Sequence, residues 1–249
     1  LAETFDLVLK GGTVVNHAGE GLADLGVRDG RIAAIGDIGE GVAGKTVNAT
    51  GLHILPGVID TQVHFREPGL THKEDLESGS RSAVLGGVTA VFEMPNTKPA
   101  TTSAQALADK IARATGRMLC DFAFFVGATR DNVDELLELE VLPGAAGIKV
   151  FMGSSTGDLL VDDEEALARI LAKIRRRASF HAEDEARLKA RSSLQREGDP
   201  SSHSEWRDTE AALAATERLL RLASAAGKRV HVLHVSTKEE MTLLARHKD

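Results

Sequence analysis

The 249-residue chain reads as an α/β protein, a parallel (β/α) barrel preceded by a small β domain. Three observations predict this. Strand-like and helix-like runs alternate six times from about residue 52 onward. The first fifty residues read as short β runs broken by glycine. Histidines and one lysine recur at the carboxyl ends of the strand-like runs, where barrel strands converge on a common site.

The β runs of the first part are DLVLKGGTVV, LADLGVRDGRIAAIG and KTVNATGLHIL. Asp29-Gly30 is a hairpin signal, because the tight turn needs positive φ, which Asp-Gly tolerates. These runs predict a small β-sandwich over residues 1–51, with the barrel over 52–249. Barrel strands are expected at 53–60, 88–94, 121–126, 147–152, 178–181 and 229–235. Helices are expected between and after them, at 73–85, 103–115, 131–139, 162–175, 208–225 and 238–247. Thr102-Ser103, Asp162-Asp163 and Thr237 with Glu240 supply helix-start chemistry. Six β-α units fit a parallel barrel or an open doubly wound sheet. No glycine-rich phosphate loop follows the first strand, which weakens the open cofactor-binding sheet. A full (β/α)8 barrel needs two more units than this chain carries, so the barrel is expected to be incomplete at its C-terminal end.

Composition narrows the function classes. The net charge is −7, and no basic stripe argues for nucleic acid. Arg175-Arg176-Arg177 reads as a solvated helix end before a strand. A single cysteine, Cys120, excludes a disulfide framework. No apolar run reaches the roughly 18 residues that span a membrane, and LAETFDLVLKGG lacks a signal core. The expectation is a soluble cytoplasmic protein acting on a small molecule.

Four residues at strand ends have ligand chemistry: His64, Lys149, His181 and His234. One histidine in a strand is usually a packed residue, but three at corresponding ends of different strands converge, and imidazole suits zinc and related metals. Lys149 lies between Ile148 and Val150, where desolvation would lower its pKa. A neutral amine can take up carbon dioxide as an anionic carbamate; the alternative is a structural lysine paired with an acid. Arg66 and Asn96 form a second set, a guanidinium fork and an amide suited to a carboxylate. Their structural alternatives are an ion pair of Arg66 with Glu67 or Asp75, and a turn role for Asn96. His17, His53, His203 and His247 show no partner pattern. His231 is out of phase with His234 and is expected on the other face of its strand. His72 could reach the site only through its loop.

The segments LPGVIDTQVHFREPG, GGVTAVFEMPNTKP, GIKVFM, FHAED and HVLHVST occur in this order. On them the chain resembles the dihydroorotases of the amidohydrolase superfamily, close to allantoinase and the hydantoinases. FREPG with MPNT favours dihydroorotase. The resemblance implies a (β/α)8 barrel beside a β-sandwich and a homodimer. It implies one or two zinc ions held by His64, carbamylated Lys149, His181 and His234, with Arg66 and Asn96 on the substrate carboxylate. The reaction it implies is reversible ring opening of dihydroorotate to N-carbamoyl-aspartate in pyrimidine synthesis. Two departures stand out. Gln62 occupies the place of a metal-binding histidine, and the family's general-base aspartate lies on a strand beyond Asp249. The 249 residues alone are therefore expected not to turn over. Two other readings remain open: a non-catalytic assembly partner, motivated by Gln62, and an allantoinase- or hydantoinase-type cyclic amidase.

Overall fold

The computed structural model describes residues 4–40, 43–154 and 159–248. The chain divides into two compact units, Leu1–Val58 and Ile59–Asp249. The boundary falls several residues later than the sequence suggested, for a reason visible in strand pairing.

The first unit is built from β1 (Phe5–Asn16), β2 (Gly19–Arg28), β3 (Arg31–Gly36), β4 (Ala43–Asn48) and β5 (His53–Ile54). They form one sheet in the order β3-β2-β1-β4, with β5 also on β1. β1 runs antiparallel to β2 and parallel to β4 and β5. Asp29 and Gly30 join β2 to β3 with φ of 51° and 70°, the paired positive values of a type I′ turn. Phe5, Val8 and Ile38 make its core. The described residues of this unit contribute this one sheet of the expected sandwich. The expected first barrel strand at 53–60 is corrected here. His53 and Ile54 pair with Thr13 and Val14 of β1, so the apolar run is split between the units.

The second unit carries β6 (Val58–Val63), β7 (Val88–Glu93), β8 (Asp121–Gly127), β9 (Ala145–Phe151), β10 (Ser179–His181) and β11 (His231–Val232). Their spatial order is their sequence order. The pairs β7–β8, β8–β9, β9–β10 and β10–β11 are all parallel. A doubly wound sheet reverses strand order at its switch point. This sheet never does, so it is a curled half-barrel and not a doubly wound sheet.

The helices are α1 (Leu76–Leu85), α2 (Ala104–Ala114), α3 (Leu136–Leu139), α4 (Glu164–Lys173), α5 (Glu185–Arg191), α6 (His203–Trp206), α7 (Thr209–Ala225) and α8 (Lys238–Ala245), and α1, α2, α3, α4 and α7 pack on one face of the sheet. Ser103, Asp163 and Thr237 cap α2, α4 and α8 through their side chains, as their positions suggested. The segment at 131–139 is only a 3₁₀ turn (Val133–Glu135) followed by α3. α5 and α6 were not legible in the polar stretch after His181.

Strand alternation assigns the two faces. Val91, Phe124, Val126, Ile148, Val150 and Phe180 join helix residues such as Leu107, Leu167, Ile170 and Leu219 in the main core. Met94, Phe125 and Leu233 form a separate cluster without helical members, lining the barrel side. Arg175 and Arg176 keep exposed side chains, as expected, while their backbone N–H groups bond the carboxylate of buried Glu140.

Candidate active site

β9 carries Lys149 between Ile148 and Val150, both packed on the helix side. The alternation of the strand turns Lys149 toward the barrel side. It is 1 % exposed. Its Nζ donates to the Val150 carbonyl at 3.2 Å and sits 4.1 Å from the centre of the Phe151 ring. Burial pushes its pKa well below that of a solvated lysine. The structural alternative needed an acidic partner; among the described residues no carboxylate pairs with Lys149 in an ion pair.

His181 ends β10 and His234 follows β11. Their rings meet, with His181 Nδ1 2.9 Å from His234 Nε2. The other ring nitrogen of His181, Nε2, lies 2.7 Å from the Glu183 carboxylate. Glu183 in turn pairs with Arg207, and Arg207 donates to the Ser154 carbonyl at 2.8 Å. Burial pushes Glu183 upward, but His181 and Arg207 outweigh it and leave the carboxyl below its ordinary value. His234 is held down to about 4, first by burial and then by the His181 charge. β11 ends at Val232, and His234 has a φ of 39°. Period-two alternation therefore does not relate His231 to His234.

His64 follows β6. Its pKa is lowered to about 4, chiefly by burial and next by the Arg66 charge. Its Nδ1 is buried without a hydrogen-bond partner. Lys149 acts electrostatically on both His64 and His234, so the four candidate ligands share one neighbourhood. Gln62 lies two residues before His64, half-buried, and its backbone N–H bonds the Asp60 side chain at 3.0 Å.

Arg66 and Asn96 differ from their structural alternatives. Glu67 is taken by Arg117, at 2.8 and 3.2 Å, and by the Leu76 N–H. Asp75 caps α1 in a capping box with Ser78. Neither is paired with Arg66, whose Nη1 is buried without a hydrogen-bond partner. Asn96 is 2 % exposed; its amide acts on the neighbouring His64 ring, but neither Oδ1 nor Nδ2 makes a close hydrogen bond. Unpaired buried polar atoms are costly and need an explanation. Three non-glycine residues among those described have positive φ: Asp29 in its turn, Arg66 and His234. Two of the three are site residues, which fits strain collected where function needs it.

The donor set fits a divalent metal in part. Two imidazole nitrogens facing each other at 2.9 Å can both reach one ion at the usual zinc–nitrogen distance of about 2.0–2.1 Å. Among the described residues no three His, Cys, Asp or Glu side chains are gathered for a metal. Lys149 is the remaining donor, and only an anionic form of it would serve. Glu183, Arg207, Glu93 and Lys110 escaped the sequence reading. Glu183 had a signal, a carboxylate two residues after a strand-end histidine. The other three had none. His72 is exposed in its turn.

A sequential parallel barrel sheet with histidines at its strand ends around a buried lysine is the plan of the amidohydrolase superfamily. The chain belongs to the dihydro-orotase-like family, whose model matches residues 51–240. It is 38% identical over 252 residues to an allantoinase of Rubrobacter xylanophilus, covering 97% of this chain and 54% of the relative. It is 35% identical over 261 residues to an allantoinase of Salmonella paratyphi B, covering 98% and 56%. Its structure is similar to an L-hydantoinase (dihydropyrimidinase) from Arthrobacter aurescens, with a TM-score of 0.90 and 30% identity over 98% of this chain and 56% of that one. The chain thus spans about half the length of the relatives it matches. No helix among the described residues is long and apolar enough to cross a membrane.

Proposed function

We propose that the chain is the metal-binding part of a hydrolase that opens cyclic amides. The observation that carries this is the meeting of His181 and His234 beside desolvated Lys149 at the strand ends of a sequential barrel sheet. Lys149, His181 and His234 would hold the first metal ion, with His64 on the far side. A zinc ion there supplies a Lewis acid and makes hydroxide available near neutral pH. The protein's own contribution is clear from its chemistry. Burial lowers the pKa of Lys149 and so favours the neutral amine, the form that takes up carbon dioxide. The Glu183 carboxylate lies beside the nitrogen of His181 that faces away from His234, where it would favour one ring orientation. Arg66 and Asn96 offer unpaired donors to a polar substituent of the ring.

The names of the relatives shift the substrate reading. They are allantoinases and hydantoinases, so an allantoin- or hydantoin-like ring is now the first choice and dihydroorotate the second. The second is supported by half-buried Arg66 and buried Asn96, whose unmatched polar atoms suit a carboxylate. The test is hydrolysis of allantoin, a hydantoin and dihydroorotate by the full-length protein, with metal content measured alongside. We expect chelator-sensitive opening of allantoin or the hydantoin. A metal-loaded protein that opens none of the three would overturn the reading. Arg66→Ala should spare neutral rings and abolish dihydroorotate hydrolysis if the carboxylate reading holds. The non-catalytic alternative predicts activity only after Gln62→His.

A further inference from the structure

Arg66 and Asn96 come from different loops, one after β6 and one after β7. Two side chains grip one group only if their separation is fixed. The residue that closes β7, Glu93, is fully buried, and so is Lys110 in α2. They form an ion pair. Lys110 Nζ also donates to the Met94 carbonyl at 3.1 Å, two residues before Asn96, and lies 5.3 Å from the centre of the Phe124 ring. The Arg66 charge also acts on the Glu93 carboxylate. Arg66 has a φ of 63°, a conformation that a non-glycine residue keeps only when its surroundings hold it. The Arg66 carbonyl accepts the Leu70 N–H at 3.0 Å, and Pro68 accepts the Lys98 N–H at 3.0 Å. The Lys98–Pro68 bond thus ties the two loops together.

Two charges withdrawn from water are a poor way to fill a core. Apolar residues of the same volume are often neutral or stabilising in their place. A pair at this depth calls for a role other than stability. We propose that Glu93–Lys110 is a positioning clasp that fixes Arg66 against Asn96, and so sets how the site grips the polar substituent of its substrate. It rests on the reading of Arg66 and Asn96 as substrate-binding residues. Lys110 holds Glu93 and the Met94 carbonyl at the strand end that leads to Asn96, and the Lys98–Pro68 bond ties the chain beyond Asn96 to the loop that carries Arg66. Neither touches substrate.

The test uses the full-length protein with Glu93→Gln and Lys110→Met together, which leaves neither charge buried alone. If that variant does not fold, Lys110→Gln, which keeps a donor for Met94, takes its place. Hydrogen exchange should quicken about tenfold in peptides covering 64–70 and 94–98, and nowhere else in the barrel. KM should rise about tenfold with little change in kcat, and the rise should vanish when Arg66→Ala is already present. Unchanged exchange overturns the clasp. So does quickened exchange across the whole barrel, or an equal KM rise with and without Arg66, because either outcome describes a general structural role. If the parent protein opens no cyclic amide, the functional reading fails, and the exchange result still decides the clasp.

Discussion

Replacing His64 should remove a defined part of the protein's acid sensitivity. In the folded chain His64 binds a proton only near pH 4, because its ring is buried and faces the Arg66 charge. In the unfolded chain it titrates near 6.5. Between those values the unfolded state holds more protons, so stability falls as pH falls from above 6.5 toward 4. The whole shift corresponds to about 3 kcal/mol at one pKa unit per 1.36 kcal/mol. At pH 4.5 about 2.5 kcal/mol of that has been lost, and at pH 7.5 almost none. His64→Gln cannot titrate. Urea unfolding of metal-free full-length protein should therefore show a smaller drop between pH 7.5 and 4.5 in the variant, by about 2.5 kcal/mol. Comparing the two pH values within each protein cancels the packing change caused by the substitution itself. Equal drops in both proteins would refute the reasoning, since His64 would then titrate alike folded and unfolded.

Two further outcomes follow from packing. Glu140 is completely buried and accepts the Arg175 and Arg176 N–H groups at 2.9 and 3.1 Å, tying the end of α3 to the chain leaving α4. Glu140→Ala orphans both donors and should cost about 2–4 kcal/mol in thermal or urea unfolding, with Glu140→Gln costing less. Gly79 lies in α1, where an added Cβ would stand 2.5 Å from the Phe65 ring. Gly79→Ala gains about 1 kcal/mol of helix propensity, but overpacking costs about 1–3 kcal/mol. A net loss of stability is expected, with reduced activity, because Phe65 is flanked by His64 and Arg66; unchanged melting would show that Phe65 moves freely.

The parts legible in the sequence are those governed by local chemistry. Asp29-Gly30 gave the hairpin because only a few residue types tolerate its φ values. Ser103, Asp163 and Thr237 marked helix starts because an orphan N–H needs a nearby oxygen. The burial of Lys149 was legible from Ile148 and Val150 beside it, while its place in a metal site came from the resemblance. What escaped is governed by partners distant in sequence. His53 and Ile54 look like the start of a barrel strand until β1 is seen beside them. The positive φ of Arg66 and His234 has no signature in their side chains. Arg207 reaches Glu183 from beyond α5 and α6, and Lys110 reaches Glu93 from the middle of a helix whose polar face would ordinarily meet water.

Gln62 bears on how the candidate site divides its work. On the β9–β11 side two imidazoles face each other beside a desolvated lysine. On the β6 side one imidazole remains, with an amide two residues earlier where the resemblance implied a second. An amide oxygen is a weak partner for zinc, whereas a side-chain amide can accept from a ring N–H through its oxygen and donate to a ring carbonyl through its NH2. Metal affinity in the proposed enzyme is therefore concentrated in Lys149, His181 and His234. The β6 side keeps groups suited to polar recognition: the unpartnered Nδ1 of His64, the buried Nη1 of Arg66 and, beside His64, the buried amide of Asn96. The same unsatisfied atoms that would be liabilities in a structural protein become, on this reading, the contacts that a cyclic amide completes when it binds.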